Sequence, residues 1–253
     1  MTKAALKGLA AAQYPAAAGV RTLGLSWPLM MGVATFVLVI VLPGTLSDCD
    51  TYWHISAGQW ILSHHQIPTH DPFSFSMPGA PWVAHEWGAE LLLAWAYRLW
   101  SWPGLMLLIA ATTALTIGYL TRFLCARLEP LHALMFAALA LVMMLSHLLA
   151  RPHVLGWALT TLWVGTLLDA SEARQRPPWW LLAVMVLWAN LHGSFVIGLG
   201  MAGAIGAEAV LAAVPAQRWR RQTLTTRAPP ASAPQARRRA PPPRRSRPPF
   251  PSR

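Results

Sequence analysis

The stretch Ser47–Trp87 holds five of the chain's nine histidines and four of its nine acids, with no Lys or Arg. Asp48-Cys49-Asp50 puts two carboxylates one residue apart. Such a pair can share a divalent cation, or one acid can act as base while the other stays ionised. It can equally be a polar cap where the chain leaves an apolar helix, since Asp is a favoured N-cap; spacing leaves both open. His54, four residues after Asp50 and on the same face of a helix, completes a candidate metal set of Asp48, Asp50 and His54. His64, His65 and His70 lack the tight ligand spacing of a zinc site and fit histidines of a wet loop. His85-Glu86 opens a helix, where the dipole already favours an acid.

Two clusters further along could act with this loop. In Arg151-Pro152-His153, Arg can hold a phosphate in a two-pronged fork and His can add a donor. The plainer alternative is an Arg at a span end reaching ordinary headgroups. Asn190-Leu191-His192-Gly193 interrupts an apolar run. Polar groups at that depth face a protein interior or a water-filled cavity, as interhelical hydrogen bonds or as substrate contacts.

The elements that must position these residues are greasy. The chain is 55% hydrophobic and 11% charged, less than half the charge of an ordinary soluble domain, and several apolar runs approach the length of a bilayer crossing. We therefore expect an all-α, polytopic helix bundle with about six spans. A cytoplasmic lead (1–25) precedes a transmembrane module (26–214), whose outer loop (47–102) carries amphipathic surface helices. Residues 26–46 form the first span, and residues 50–64 a surface helix with Trp53, Ala57, Trp60 and Ile61 on one stripe. Residues 85–100 read as a surface or half-inserted helix, 103–121, 131–150 and 154–169 as spans, and 178–191 with 194–214 as a last pair. The basic lead stays inside. If 85–100 does not cross, Arg122, Arg127, Arg174 and Arg176 fall inside, and Arg151 and His192 share the outer face with Asp48. That arrangement also separates Cys49 from Cys125, which excludes a disulfide.

The net charge of +11 belongs to the tail, because residues 217–253 carry eleven arginines and no acid. We expect 215–253 to be a disordered Arg/Pro-rich tail, solvated or a reading-frame artefact, with no specific nucleic-acid partner.

The runs D-x-D-x-Y-W-H-I-x-x-G-x-W-I (48–61), I-P-x-x-D-P-F-S-F (67–75), G-x-P-W-V-x-H-E-W (79–87), R-P-H (151–153) and W-A-N-L-H-G-S-F (188–195) together resemble a family of bacterial polytopic membrane proteins similar to the GT-C glycosyltransferase superfamily. The resemblance covers roughly residues 45–200. It implies an enzyme of the bacterial inner membrane that takes a sugar from a polyprenyl-phosphate carrier at the outer face. It places the catalytic acid at Asp48 or Asp50 and lifts His85 and Glu86 to catalytic candidates. Its oligosaccharyltransferase branch implies a divalent cation; other branches work without one. From location we add Arg151, His153, Asn190 and His192 as ligands of the carrier phosphate. Members of that superfamily have more spans, so a truncated, non-catalytic product is a further expectation. A transporter or flippase of lipid-linked or acidic solutes is the alternative from another class.

Overall fold

Proline and glycine punctuate the chain, and the helices begin and break where they stand. The computed structural model describes residues 26–225, with side chains through residue 211. The lead 1–25 and residues 226–253 of the expected tail lie outside the described residues. Among the described residues there are seven helices and no strand: α1 (Trp27–Val41), α2 (Asp50–His64), α3 (Trp87–Cys125), α4 (Pro130–Leu145), α5 (Pro152–Glu172), α6 (Trp180–Leu191) and α7 (Phe195–Thr225). Three of them (α1, α4 and α5) carry Pro in the first two positions, where a missing N–H costs nothing.

Helix α3 is two arms. Trp100 and Ser101 leave helical geometry, and Ser101 sits at φ 53°, a strained value for a side chain with a Cβ. The chain folds back there, so that a Cβ on Gly104 would strike the Ala96 carbonyl. The tight reversal falls between the expected surface helix (85–100) and the expected span (103–121). The first arm keeps its start near Asn190 through a Trp87 hydrogen bond. Its end lies near Trp102, whose ring meets Tyr97 and Tyr52 edge-on.

The second arm is the hub. Helix α1 crosses it closely at Gly32, where a Cβ would come 3.3 Å from the Ala114 carbonyl; small residues let helix backbones approach. Helix α2 packs on the first arm, α5 on α3, and α6 on α5. Val39, Ile55, Leu93, Leu105, Ile109 and Val154 meet in one buried cluster, and Trp163, Leu167, Leu181 and Trp188 in another. Helix α2 buries Ala57 and Ile61 of the expected stripe together with Thr51, Ile55 and Gly58, and leaves Trp53 and Trp60 out of the buried face. Trp53 packs instead on Phe73 and Trp82 of the connector, which an isolated His70–Pro81 bridge holds together.

Helices α3 and α5 are long and apolar enough to cross a membrane. Shorter apolar helices accompany them, and their outward faces are large hydrocarbon side chains: Val33 and Val37 on α1, Met135 and Leu139 on α4, Leu182 and Val186 on α6. At the end of α5 away from Arg151, Arg127 forks onto Asp169 (2.6 Å) and Glu172 (2.8 Å) and lies over the Phe123 ring. Both cysteines are free. The backbone stays helical through Thr225, past the expected end of the apolar run near Val214. Gln and Arg in that segment are good helix formers. Contacts divide the chain into two compact units, 1–206 and 207–253; the second consists, among the described residues, of the rest of α7.

Candidate functional site

Three connections close one end of the first unit. After α1 the chain turns at Gly44, whose φ of 98° suits glycine, and reaches Asp48. The Thr45 carbonyl accepts from the Ala150 N–H (3.0 Å), and the Thr51 hydroxyl donates to the Ala150 carbonyl (3.1 Å). These bonds stitch the α1–α2 turn to the α4–α5 turn. Pro152 opens α5 and keeps Arg151 extended, as a residue before proline should be. Arg151 thereby meets Asp48: Nε and Nη2 both donate to its carboxylate, Nη2 at 2.8 Å from Oδ1. Nη2 also lies 2.9 Å from Asp50 Oδ2.

Asp48 also accepts the Asp50 N–H, the first of α2, at 3.1 Å, while the N-cap position itself is Cys49, which makes no side-chain cap bond. Asp48 is buried, Asp50 exposed and Arg151 half-exposed. The Arg151 hydrogen bonds hold the Asp48 carboxyl below the usual carboxylate range, against burial, which pushes it up. The stability that this adds is present above the unfolded carboxylate range near pH 3.8 and is lost as pH falls through the lowered folded value. The melting temperature in detergent should therefore hold down to about pH 5 and drop below about pH 4, and Asp48→Asn should flatten that acid limb. An unchanged limb in Asp48→Asn would remove the pair from the account.

The expected metal set does not assemble as proposed. Oxygens of Asp48 and Asp50 and the Cys49 sulfur lie within 4.8 Å of one another, but His54 is turned away to Glu90, with Nδ1 3.7 Å from Oε1. The Arg151 guanidinium already supplies the positive charge that the two carboxylates share, so the donor set does not suit a divalent cation. Glu90 is the residue that sequence reasoning passed over. It is buried, and its Oε2 and His54 Nδ1 have no hydrogen-bond partner among the described residues. Its one signal was an acid amid the apolar run Gly88–Tyr97.

A second group lies where α3 and the α6–α7 turn meet. Glu86 Oε1 is 3.5 Å from His192 Nε2 and 3.8 Å from His85 Nε2; His85 is exposed. Burial holds the His192 imidazole below its ordinary range, with Glu86 pulling it back up. The His153 ring stands 6.1 Å from that of His192, and its Nε2 bonds the His147 carbonyl at 2.8 Å. Asn190 spends its amide on structure: Oδ1 accepts from Trp87 Nε1 (2.7 Å) and Nδ2 donates to the Val186 carbonyl (2.7 Å). The interhelical alternative therefore describes the Oδ1 of Asn190.

Comparison with known proteins finds no match. No family model, no curated protein and no solved structure is similar to this chain. The assignment of chemistry rests on the geometry of this end alone. It brings together Asp48, Asp50 and Arg151 in one group and Glu86, His85, His192 and His153 in another. His64, His65 and His70 belong to neither: His64 stacks on Trp60, His65 caps α2 in the left-handed region, and His70 sits beside Thr69.

Proposed function

We infer that the chain is an integral membrane glycosyltransferase-like protein, using a polyprenyl-phosphate-linked sugar at the outer face of the membrane. The observation that carries this reading is Arg151, a half-exposed guanidinium fixed by two carboxylates at one end of an apolar helix bundle. Its bonds run through Nε and Nη2, which leaves Nη1 for a phosphate oxygen. A guanidinium held in place by carboxylates loses little freedom on binding a second anion. His153, the second residue of α5, already gives its Nε2 proton to the His147 carbonyl, so Arg151 is the phosphate donor of this group.

The finer membrane arrangement belongs to the same proposal. The crossing helices are α1, the second arm of α3, α4, α5, α6 and α7, and the first arm of α3 lies across one end. Both ends of that arm touch residues of the site end, Asn190 and Tyr52 through Trp102, which supports a helix that does not cross. Arg127 then lies inside and Arg151 outside, as the positive-inside bias requires with a cytoplasmic N-terminus.

In this reading Asp48 holds Arg151 and is a poor base, because its carboxylate is already engaged. The experiment is equilibrium binding of radiolabelled polyprenyl-phosphate hexose and pentose to the full chain in nanodiscs, with free inorganic phosphate as competitor. Saturable binding of the lipid-linked sugar, weakened at least tenfold by Arg151→Gln, is the expected result. A second reading, a non-catalytic membrane protein, is favoured by the bonds of Ala150 to Thr45 and Thr51, which make the same end a structural clasp. No binding by the wild type selects that reading.

A further inference from the structure

Two donors converge on one nitrogen of His192. The Ser194 backbone N–H donates to Nδ1 at 3.1 Å, and the Ser194 hydroxyl lies 2.8 Å from the same atom. Trp188 Nε1 donates to Ser194 Oγ at 3.0 Å, taking a lone pair of that oxygen and leaving its proton for Nδ1. A proton on Nδ1 would face the amide N–H directly. The neutral ring therefore carries its proton on Nε2, the nitrogen that looks towards Glu86. Gly156 keeps the space open: a Cβ there would come 3.1 Å from Trp188 Nε1 and 3.2 Å from Ser194 Oγ.

Nε2–H offers a donor and Glu86 an acceptor. At 3.5 Å they are too far apart for a good direct hydrogen bond, and both side chains are partly open to solvent. A hydroxyl fits both, accepting from His192 and donating to Glu86. A phosphate oxygen would meet the donor but be repelled by the carboxylate, and Arg151 offers it a better place.

We propose that Glu86 and His192 form the subsite for the acceptor hydroxyl, with Ser194 and Trp188 as positioning residues that fix the His192 tautomer. This rests on the transferase reading above and moves His192 from the carrier phosphate to the acceptor. In the transfer step the hydroxyl proton passes to Glu86 and the oxygen bonds the anomeric carbon. The bond from that carbon to the phosphate oxygen breaks, and its electron pair leaves on the phosphate.

The test uses full-length, nitrogen-15-histidine-labelled protein in nanodiscs, with the His192 resonances assigned by their loss in His192→Gln. The wild type should be neutral at neutral pH with its proton on Nε2. Ser194→Ala should shift the tautomer ratio towards Nδ1–H by roughly two- to tenfold, the worth of one hydrogen bond, and Ser194→Thr should restore it. An Nδ1–H ring in the wild type, or a ratio that Ser194→Ala leaves unmoved, overturns the positioning. Glu86→Gln should keep binding of the polyprenyl-phosphate-linked sugar within about twofold and lose transfer by about 10²-fold or more. Lost donor binding in Glu86→Gln overturns the acceptor assignment. Absent donor binding in the wild type instead sinks the transferase reading, and the subsite with it.

Discussion

Gly58→Val should destabilise the protein in detergent by about 3 kcal/mol or more and displace α2 from the first arm of α3. A Cβ at Gly58 would strike the Glu90 carbonyl and come within 2.6 Å of Ala94 Cβ. A flexible side chain could swing clear of such a clash, but a carbonyl inside a helix moves only with its helix. The damage should reach the site, because α2 opens with Asp50 and carries Thr51, which bonds Ala150. Gly58→Ala meets the same atoms with its single methyl and should lose most of the same stability. Thermal unfolding of both variants checks this, with Gly79→Ala as the control for an open position: nothing lies within 4 Å of a Cβ there, though its φ of 75° carries a small strain of its own. Wild-type melting of Gly58→Val would mean that α2 does not seat on α3.

The bounds of α2 and the break between the arms of α3 were legible because local chemistry writes them. Asp50 starts the one and Trp100-Ser101-Trp102-Pro103 interrupts the other. The face that α2 buries was legible only in part: Ala57 and Ile61 of the expected stripe are buried, Trp53 and Trp60 are not. Apolar residues stand on both sides of Gly58, and the choice between Trp53 and Ile55 is made by Phe73 and Trp82, far along the connector. The meeting of Asp48 with Arg151 was anticipated as neighbourhood, from the distribution of basic residues, but not as a bond. Nothing local says that a guanidinium 103 residues away will take the carboxylate for which a divalent cation was one of the open readings. For Asn190 the interhelical alternative was open, but its partner, Trp87 on another helix, could not be named from the sequence. Ser194 was visible two residues after His192, and only the turn between α6 and α7 shows that it holds the ring.

Arg151→Ala should cost about 2 kcal/mol and Asp48→Ala about half as much, although they remove two halves of one pair. A fully buried pair would cost more; here Arg151 is 37% exposed, and water screens it. The asymmetry follows from what each change leaves behind. Without Asp48 the guanidinium still has Asp50 at 2.9 Å and solvent. Without Arg151 the buried Asp48 carboxylate keeps only the Asp50 N–H. The double variant should therefore be no worse than Arg151→Ala, a coupling that a double-mutant cycle reads directly. The pH dependence should also weaken. In the wild type Asp48 titrates below its unfolded range, so acid destabilises. In Arg151→Ala the hydrogen bonds that do most to hold the value down are gone, and only the Asp50 N–H still favours the charged form. That variant should therefore have a shallower acid limb than the wild type. Equal costs for the two single changes, or the same acid limb in wild type and Arg151→Ala, would show that the guanidinium does not hold this carboxylate. The proposed phosphate recognition would then lose its fixed cation.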